Sequence, residues 1–206
     1  PCKVRELNMI EKSEFPYQPY GNPIFTFDSG DYHQSFNKAK EMIEYDRTRT
    51  RQAELRGSGR YIGVAVTNYN EICGVGRSHE MAMVGFDRGG WESAAIRVHS
   101  DGTVTFFTGS MPSGQGHGTS YAQIVATELQ LPLESVDVVY GDTAVVPMGN
   151  GTYNSRSMPV GGSAAKRCAM QVIAKAKTFA AEWLHDDAST LRYEGGKSHG
   201  ASGEVE

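Results

Sequence analysis

The chain has 206 residues, room for one large domain or two small ones around a substantial buried core. Its 20 basic and 24 acidic residues are interspersed and sum to −4, so no basic field supports a nucleic-acid partner. No apolar run approaches the roughly 20 residues that cross a bilayer. Cys2, Cys73 and Cys168 are far apart, with no C-x-x-C and no paired histidines. Free thiols in a reducing, cytoplasmic compartment are the expectation, with export alongside a partner subunit as the alternative. The opening Pro1-Cys2-Lys3-Val4-Arg5 has no initiator Met and no signal-peptide core. With the untidy end from Gly200 to Glu206, it suggests a piece of a longer chain.

Taken in order, a helix tail at Val4 to Met9 leads into an irregular, aromatic segment. Its turn signals are Phe15-Pro16-Tyr17, Tyr20-Gly21-Asn22-Pro23 and Asp28-Ser29-Gly30. Asp31 with Gln34 three residues later resembles a capping box opening a helix to about Leu55, with Phe36, Ala39 and Ile43 as its apolar stripe. Arg47, Arg49, Arg51 and Arg56 read as a solvated face of that helix. Residues 1–56 are expected to form a linking segment and helix that wrap a second domain, with the boundary at Gly57-Ser58-Gly59. Tyr61 to Val66 reads as a mostly buried strand, and residues 73–90, rich in Gly and Met, as a long loop. Ala94 to His99 and Thr103 to Phe107 flank Ser100-Asp101-Gly102, a strong hairpin signal.

After that hairpin comes Gly109-Ser110-Met111-Pro112-Ser113-Gly114-Gln115-Gly116-His117-Gly118-Thr119, then a helix with Ala122, Val125, Ala126 and Leu129 on one face, stopped by Pro132. Ser135 to Tyr140 is a further strand. A second loop, Gly149 to Ser157, precedes another helix, with Ser163 as its cap. Its stripe runs Ala165, Cys168, Ala169, Val172, Ala176, Phe179, Ala180 and Trp183. Domain two is thus expected over 57–184, with a weakly ordered tail over 185–206. The fold class is α+β, a mixed or antiparallel sheet covered by helices.

The two glycine loops each precede a helix, where backbone approach is close and free N–H groups favour anions, so they read as two jaws on a phosphorylated ligand. Gly109-x-x-x-x-Gly114 imitates a phosphate loop, but Gln115-Gly116 replace the Lys-Ser/Thr, which argues against an NTPase. His117 reads as a loop donor before a base, and Asp142 as a cap before a cation ligand. Arg156 is a fork for phosphate or carboxylate, or else half of a structural ion pair. Gly161-Gly162-Ser163-Ala164-Ala165 fits a nucleophile elbow only loosely.

These same residues carry a resemblance. Thr108-Gly109-Ser110, Gly114-Gln115-Gly116-His117-x-Thr119, Gln123, Glu128-Leu129, Gly141-Asp142-Thr143 and Gly151-Thr152-Tyr153-x-Ser155-Arg156-Ser157 resemble the molybdenum hydroxylases, the xanthine dehydrogenase and aldehyde oxidase family. The likeness is to the molybdenum-binding large subunit of the carbon monoxide dehydrogenase type. It extends to Arg5-x-x-Asn8, Asp28-Ser29-Gly30-Asp31-Tyr32 and Gly59-Arg60-x-x-Gly63, covering residues 1 to 184 in order.

The resemblance implies part of the cofactor-binding domains of that subunit, holding molybdopterin cytosine dinucleotide. Gly114, Gln115, Gly116, His117 and Thr119 would line one side. Thr152, Tyr153, Asn154, Ser155, Arg156 and Ser157 would line the other, with Asn154 nearest the molybdenum. The metal is held by the pterin dithiolene, so no protein metal ligands and no catalytic residue are assigned. The implied reaction is hydroxylation of an aldehyde, N-heterocycle or CO with water, electrons passing to iron–sulfur and FAD partners. Gly118 stands where many relatives carry Glu, and Gln130 where Gly is usual. The family's Gly-x-Gly-Glu base and its substrate-side Arg loop do not occur, so the chain is expected to be inactive alone. The alternatives are a non-redox nucleotide module, or a structural domain sharing the glycine loops.

Overall fold

In Val104-Thr105-Phe106-Phe107-Thr108, residues 104, 106 and 108 share one buried face, and the segment becomes strand β2 (Val104–Thr108). In the computed structural model, which describes residues 1–21, 25–83, 85–146 and 148–205, β2 is the middle of a three-stranded sheet. Its antiparallel neighbour β1 (Ala94–Val98) is joined by the expected hairpin. There the Asp101 carboxylate accepts the Thr103 N–H at 3.0 Å and hydroxyl at 2.7 Å. The other neighbour, β3 (Val136–Val139), runs parallel to β2 after a crossover through helix α5 (His117–Leu129). The sheet is mixed and the chain α+β, as its pattern implied.

One face of this sheet lies under α5 and the long helix α6 (Ser163–Leu184). Val104, Phe106 and Val136 meet Tyr121, Ala122, Val125, Ala126 and Leu129 of α5 and Ala165 and Ala169 of α6. Each large side chain buried here stabilises the fold by about 1.5–3 kcal/mol. Only part of the α6 stripe is covered: Ala165, Ala169 and Ala180 are buried, while Phe179 and Trp183 stay exposed at 61% and 80%.

The described chain divides into two units, Pro1–Asn70 and Glu71–Glu206, so the boundary falls after the glycines at 57–59. The first unit holds helices α1 (Cys2–Glu6), α2 (Tyr32–Met42) and α3 (Tyr45–Arg56). Asp31 caps α2 by accepting the Gln34 N–H at 3.0 Å, as expected. The single helix expected to Leu55 is broken at Glu44, whose φ of 46 is left-handed. The reason is the stripe: Phe36 is buried with Ala39 against it, whereas α3 buries no residue and needs no continuous face. Tyr61 to Val66 is not a strand. No described strand offers it an edge, and only Val66 of that run is buried, beside Cys2 and Phe36. The turn at Asn22-Pro23 lies outside the described residues.

Three further expectations change in the second unit. The loop over 73–90 contains a short helix α4 (Ser78–Met83) with Met81 buried. Ser163 is not a cap, because a π-helical turn (Ser157–Gly162) already leads into α6, and its hydroxyl donates to Pro159 O at 2.5 Å. Instead of the weak order expected beyond Leu184, strands β4 (Arg192–Glu194), β5 (Lys197–Gly200) and β6 (Gly203–Val205) form an antiparallel sheet. Its glycines supply tight turns, Gly195 and Gly196 both having positive φ. The Tyr193 hydroxyl donates to Leu129 O at 3.0 Å and pins the sheet to the end of α5.

Candidate functional site

Beyond Thr108 the chain leaves the sheet as the first glycine loop. Gly114 and Gly116 have φ of 100 and 75, with open space where a side chain would start, so the backbone itself calls for glycine. Helix α5 follows with no side-chain cap, leaving the N–H groups of its first turn without intrahelical acceptors.

The second loop closes against the first. Thr152 Oγ1 donates to Met111 O at 2.6 Å, and the Ser157 hydroxyl donates to Thr152 Oγ1 at 3.3 Å. From α5, the Tyr121 hydroxyl reaches Ser157 O at 2.9 Å. Between the loops the backbones touch: a Cβ on Gly109 would stand 2.8 Å from Gly149 Cα. Asn154 and Ser155 are both left-handed, φ 45 and 49, a conformation that side-chain-bearing residues rarely hold twice in succession. They are anchored by Gly74 N–H donating to Asn154 O at 3.2 Å and by Ser155 Oγ donating to Glu71 Oε1 at 3.0 Å.

Between these walls lies a cleft of about 610 Å³. Gln115 and His117 line one side, and Thr152 through Ser157 the other. Gly114 and Gly116 sit in the same loop as Gln115. Thr119 is turned away, exposed beside a different depression with Val136 and Tyr140. Arg156 is wholly buried with all five donors spent on the protein: Glu92, Gly151 O, Gly90 O, Trp91 O and Val75 O. The ion-pair side of its two sequence readings is therefore the one realised. Sequence reasoning missed Glu92, Glu71, Ser113 and Ser120. Ser113, inside the first glycine loop, and Ser120, one helical turn after His117, were the two with a positional signal. The Gln115 carboxamide oxygen accepts the Ser113 N–H, folding that side chain onto its own loop.

His117 is buried, its ring edge-on to Tyr121 at 5.7 Å, and its Nδ1 has no hydrogen-bond partner. Burial pushes the imidazole below its ordinary pKa, with the Ser110 backbone pulling weakly the other way. The folded pKa is then below the unfolded one. Its contribution to stability is complete above the unfolded value of about pH 6.5 and is lost as pH falls from there through the lower, folded pKa. Denaturant midpoints at about pH 7.5 and about pH 5.5 are expected to differ less in His117→Asn than in the wild type. Equal pH dependence in the two proteins would remove His117 as the cause.

Residues 38–205 match the family model described as a molybdopterin cofactor-binding domain. The chain belongs to the molybdopterin cofactor-binding domain family. Among its relatives in that family is the carbon monoxide dehydrogenase large chain of Hydrogenophaga pseudoflava, 38% identical over 94% of this chain and 24% of the relative. The 6-hydroxypseudooxynicotine dehydrogenase complex subunit gamma of Paenarthrobacter nicotinovorans is 34% identical over 94% and 23%. Of solved structures, quinoline 2-oxidoreductase from Pseudomonas putida superposes with a TM-score of 0.63 at 32% identity, covering 97% of this chain and 25% of that one. The Cu,Mo-CO dehydrogenase in its carbon monoxide reduced state gives 0.58 at 33% identity, over 96% and 25%. The chain thus spans about a quarter of the length of these relatives. Among the described residues no helix is long and apolar enough to cross a membrane, and no group of His, Cys, Asp and Glu is arranged to hold a metal ion.

Proposed function

We propose that the cleft between the glycine loops holds molybdopterin cytosine dinucleotide, and that the chain is the cofactor-binding portion of a molybdenum hydroxylase large subunit. The observation that carries this is the meeting of an uncapped helix N-terminus and a second, strained polar loop on one cleft, within the stretch matching the cofactor family. The residues fit such a ligand. First-turn N–H groups of α5 suit a phosphate, which needs no lysine there. The unpartnered Nδ1 of His117 and the hydroxyls of Ser113, Ser120 and Ser155 suit a polar ring system. Gly114, Gly116 and Gly151 leave open space for close approach. Gln115 and His117 would hold one side, and Thr152, Tyr153, Asn154 and Ser155 the other, with Asn154 nearest the molybdenum.

When bound, the cofactor supplies oxidative hydroxylation with oxygen from water, its electrons leaving to iron–sulfur and FAD partners. These residues bind and orient it and keep water from its buried edge. They include no Gly-x-Gly-Glu base, so we infer that this stretch does not turn over substrate by itself. The test is metal and nucleotide analysis of the full-length protein from a host that makes the cofactor. Equimolar molybdenum and releasable CMP are expected, both reduced severalfold in Gln115→Ala. A well-folded protein with neither would sink the proposal.

A further inference from the structure

We propose that Glu92 and Arg156 form one buried clamp that sets the spacing of the two glycine loops, making Arg156 a positioning residue and not a ligand contact. The inference rests on the reading of the cleft as a cofactor site. Both side chains are fully buried and paired at 3.1 Å. Arg156 Nη1 donates to Glu92 Oε2 and to Gly151 O, Nη2 to Gly90 O and Trp91 O, and Nε to Val75 O at 3.3 Å. Glu92 Oε2 also accepts the Ser110 hydroxyl at 3.1 Å, and Oε1 the Ser93 N–H at 3.2 Å. Ser110 belongs to the first loop, Gly151 and Arg156 to the second, and the other partners to residues 75–93. One ion pair thus ties three separated stretches of chain together.

The glycines agree with this. A Cβ on Gly109 would stand 2.6 Å from Glu92 Oε1, and one on Gly149 would overlap the same carboxylate. The loops therefore approach as closely as bare backbone permits, directly against Glu92. Tyr153 lays its ring over the guanidinium, 5.3 Å from its centre, on the side of the second loop. With Glu92 neutralising it and every donor occupied, Arg156 offers the cleft neither a net charge nor a free N–H.

A buried ion pair of this kind contributes little net stability compared with a well-packed apolar pair, because desolvation offsets the attraction. Its distinctive property is directional: seven hydrogen bonds fix where the loops stand. That difference separates positioning from mere stabilisation. The experiment compares Glu92→Gln alone, Glu92→Leu with Arg156→Met together, and the surface change Lys166→Met in the full-length protein. Thermal midpoint, amide exchange across residues 109–117 and 149–157, and molybdenum and CMP content are read for each.

Glu92→Gln is expected to lower the midpoint and to speed exchange in both loops together. The paired replacement removes both buried charges but leaves the carbonyls of Val75, Gly90, Trp91 and Gly151 without their donor. Its midpoint is therefore expected to stay below wild type, with both loops exchanging about tenfold faster and molybdenum and CMP still low. Lys166→Met breaks only a half-exposed pair with Glu128 and is expected to leave both loops as they are. Restored loop protection in the paired variant would overturn the clamp, as would loosening confined to one loop or loosening by Lys166→Met. Should the paired variant not fold, Glu92→Gln still decides, since it keeps the side-chain length and the acceptor for Ser110. A wild type with neither molybdenum nor CMP defeats the cofactor reading alone, because loop exchange tests the clamp without it.

Discussion

Gly149→Ala is expected to cost about 3 kcal/mol, at the upper end of overpacking changes, and to strip the protein of cofactor. The added methyl would overlap the Glu92 carboxylate and stand 2.9 Å from Gly109 Cα, so neither a rotamer change nor a small shift relieves it. Either the loops part or the buried ion pair breaks. A fall in thermal midpoint on the order of 10 °C is the corresponding observable. Gly151→Ala is the comparison: its φ of 85 is left-handed but no atom lies within 4 Å. It carries only the backbone penalty, about 1–2 kcal/mol. If Gly149→Ala proves no worse than Gly151→Ala, the close approach of the loops is not what demands glycine there.

Arg156→Lys is expected to behave nearly as a deletion, losing about 3 kcal/mol despite keeping the charge. The planar guanidinium reaches four carbonyls and a carboxylate at once, across residues 75 to 92 and back to Gly151. A lysine ammonium has three donors radiating from one point and cannot span that set. Carbonyls at Gly90, Trp91 and Val75 then stay buried with fewer partners, each at about 1–3 kcal/mol before relaxation. Urea unfolding of the two proteins under identical salt checks this. A lysine variant within about 0.5 kcal/mol of wild type would show that the carbonyls find other donors.

Local rules made much of this molecule legible beforehand. Asp101-Gly102 between alternating runs specified the β1–β2 hairpin, because a two-residue period and a turn glycine leave few alternatives. The i, i+3, i+4 spacing of Ala122, Val125, Ala126 and Leu129 specified α5 and its buried face. Asp31 announced its cap on α2. Patterning failed where a partner was needed. Tyr61 to Val66 has a strand's composition but no edge to pair with among the described residues. Phe179 and Trp183 continue the apolar spacing of α6 yet stay exposed. The tail looked too polar to order, yet Leu191 and Ser198 are buried, and Tyr193 bonds to a helix end 64 residues earlier in the chain.

The candidate site divides in the same way. The glycine loops, the helix that follows each and the family resemblance are properties of contiguous residues, so the sequence alone indicated which stretches face each other across the cleft and which ligand to propose for it. Which side chains enter that cleft was decided only by the tertiary structure. Thr119 and His117 are two residues apart on one helix, and 100° per residue sends them to different surfaces. Arg156 was placed in the wall by its motif, but its donors were claimed by Glu92 and by carbonyls 65 to 81 residues away. Those partners carry no local signal. A buried cation takes whatever acceptors the packed chain brings to it, and that set exists only once the two loops and residues 75–93 have come together.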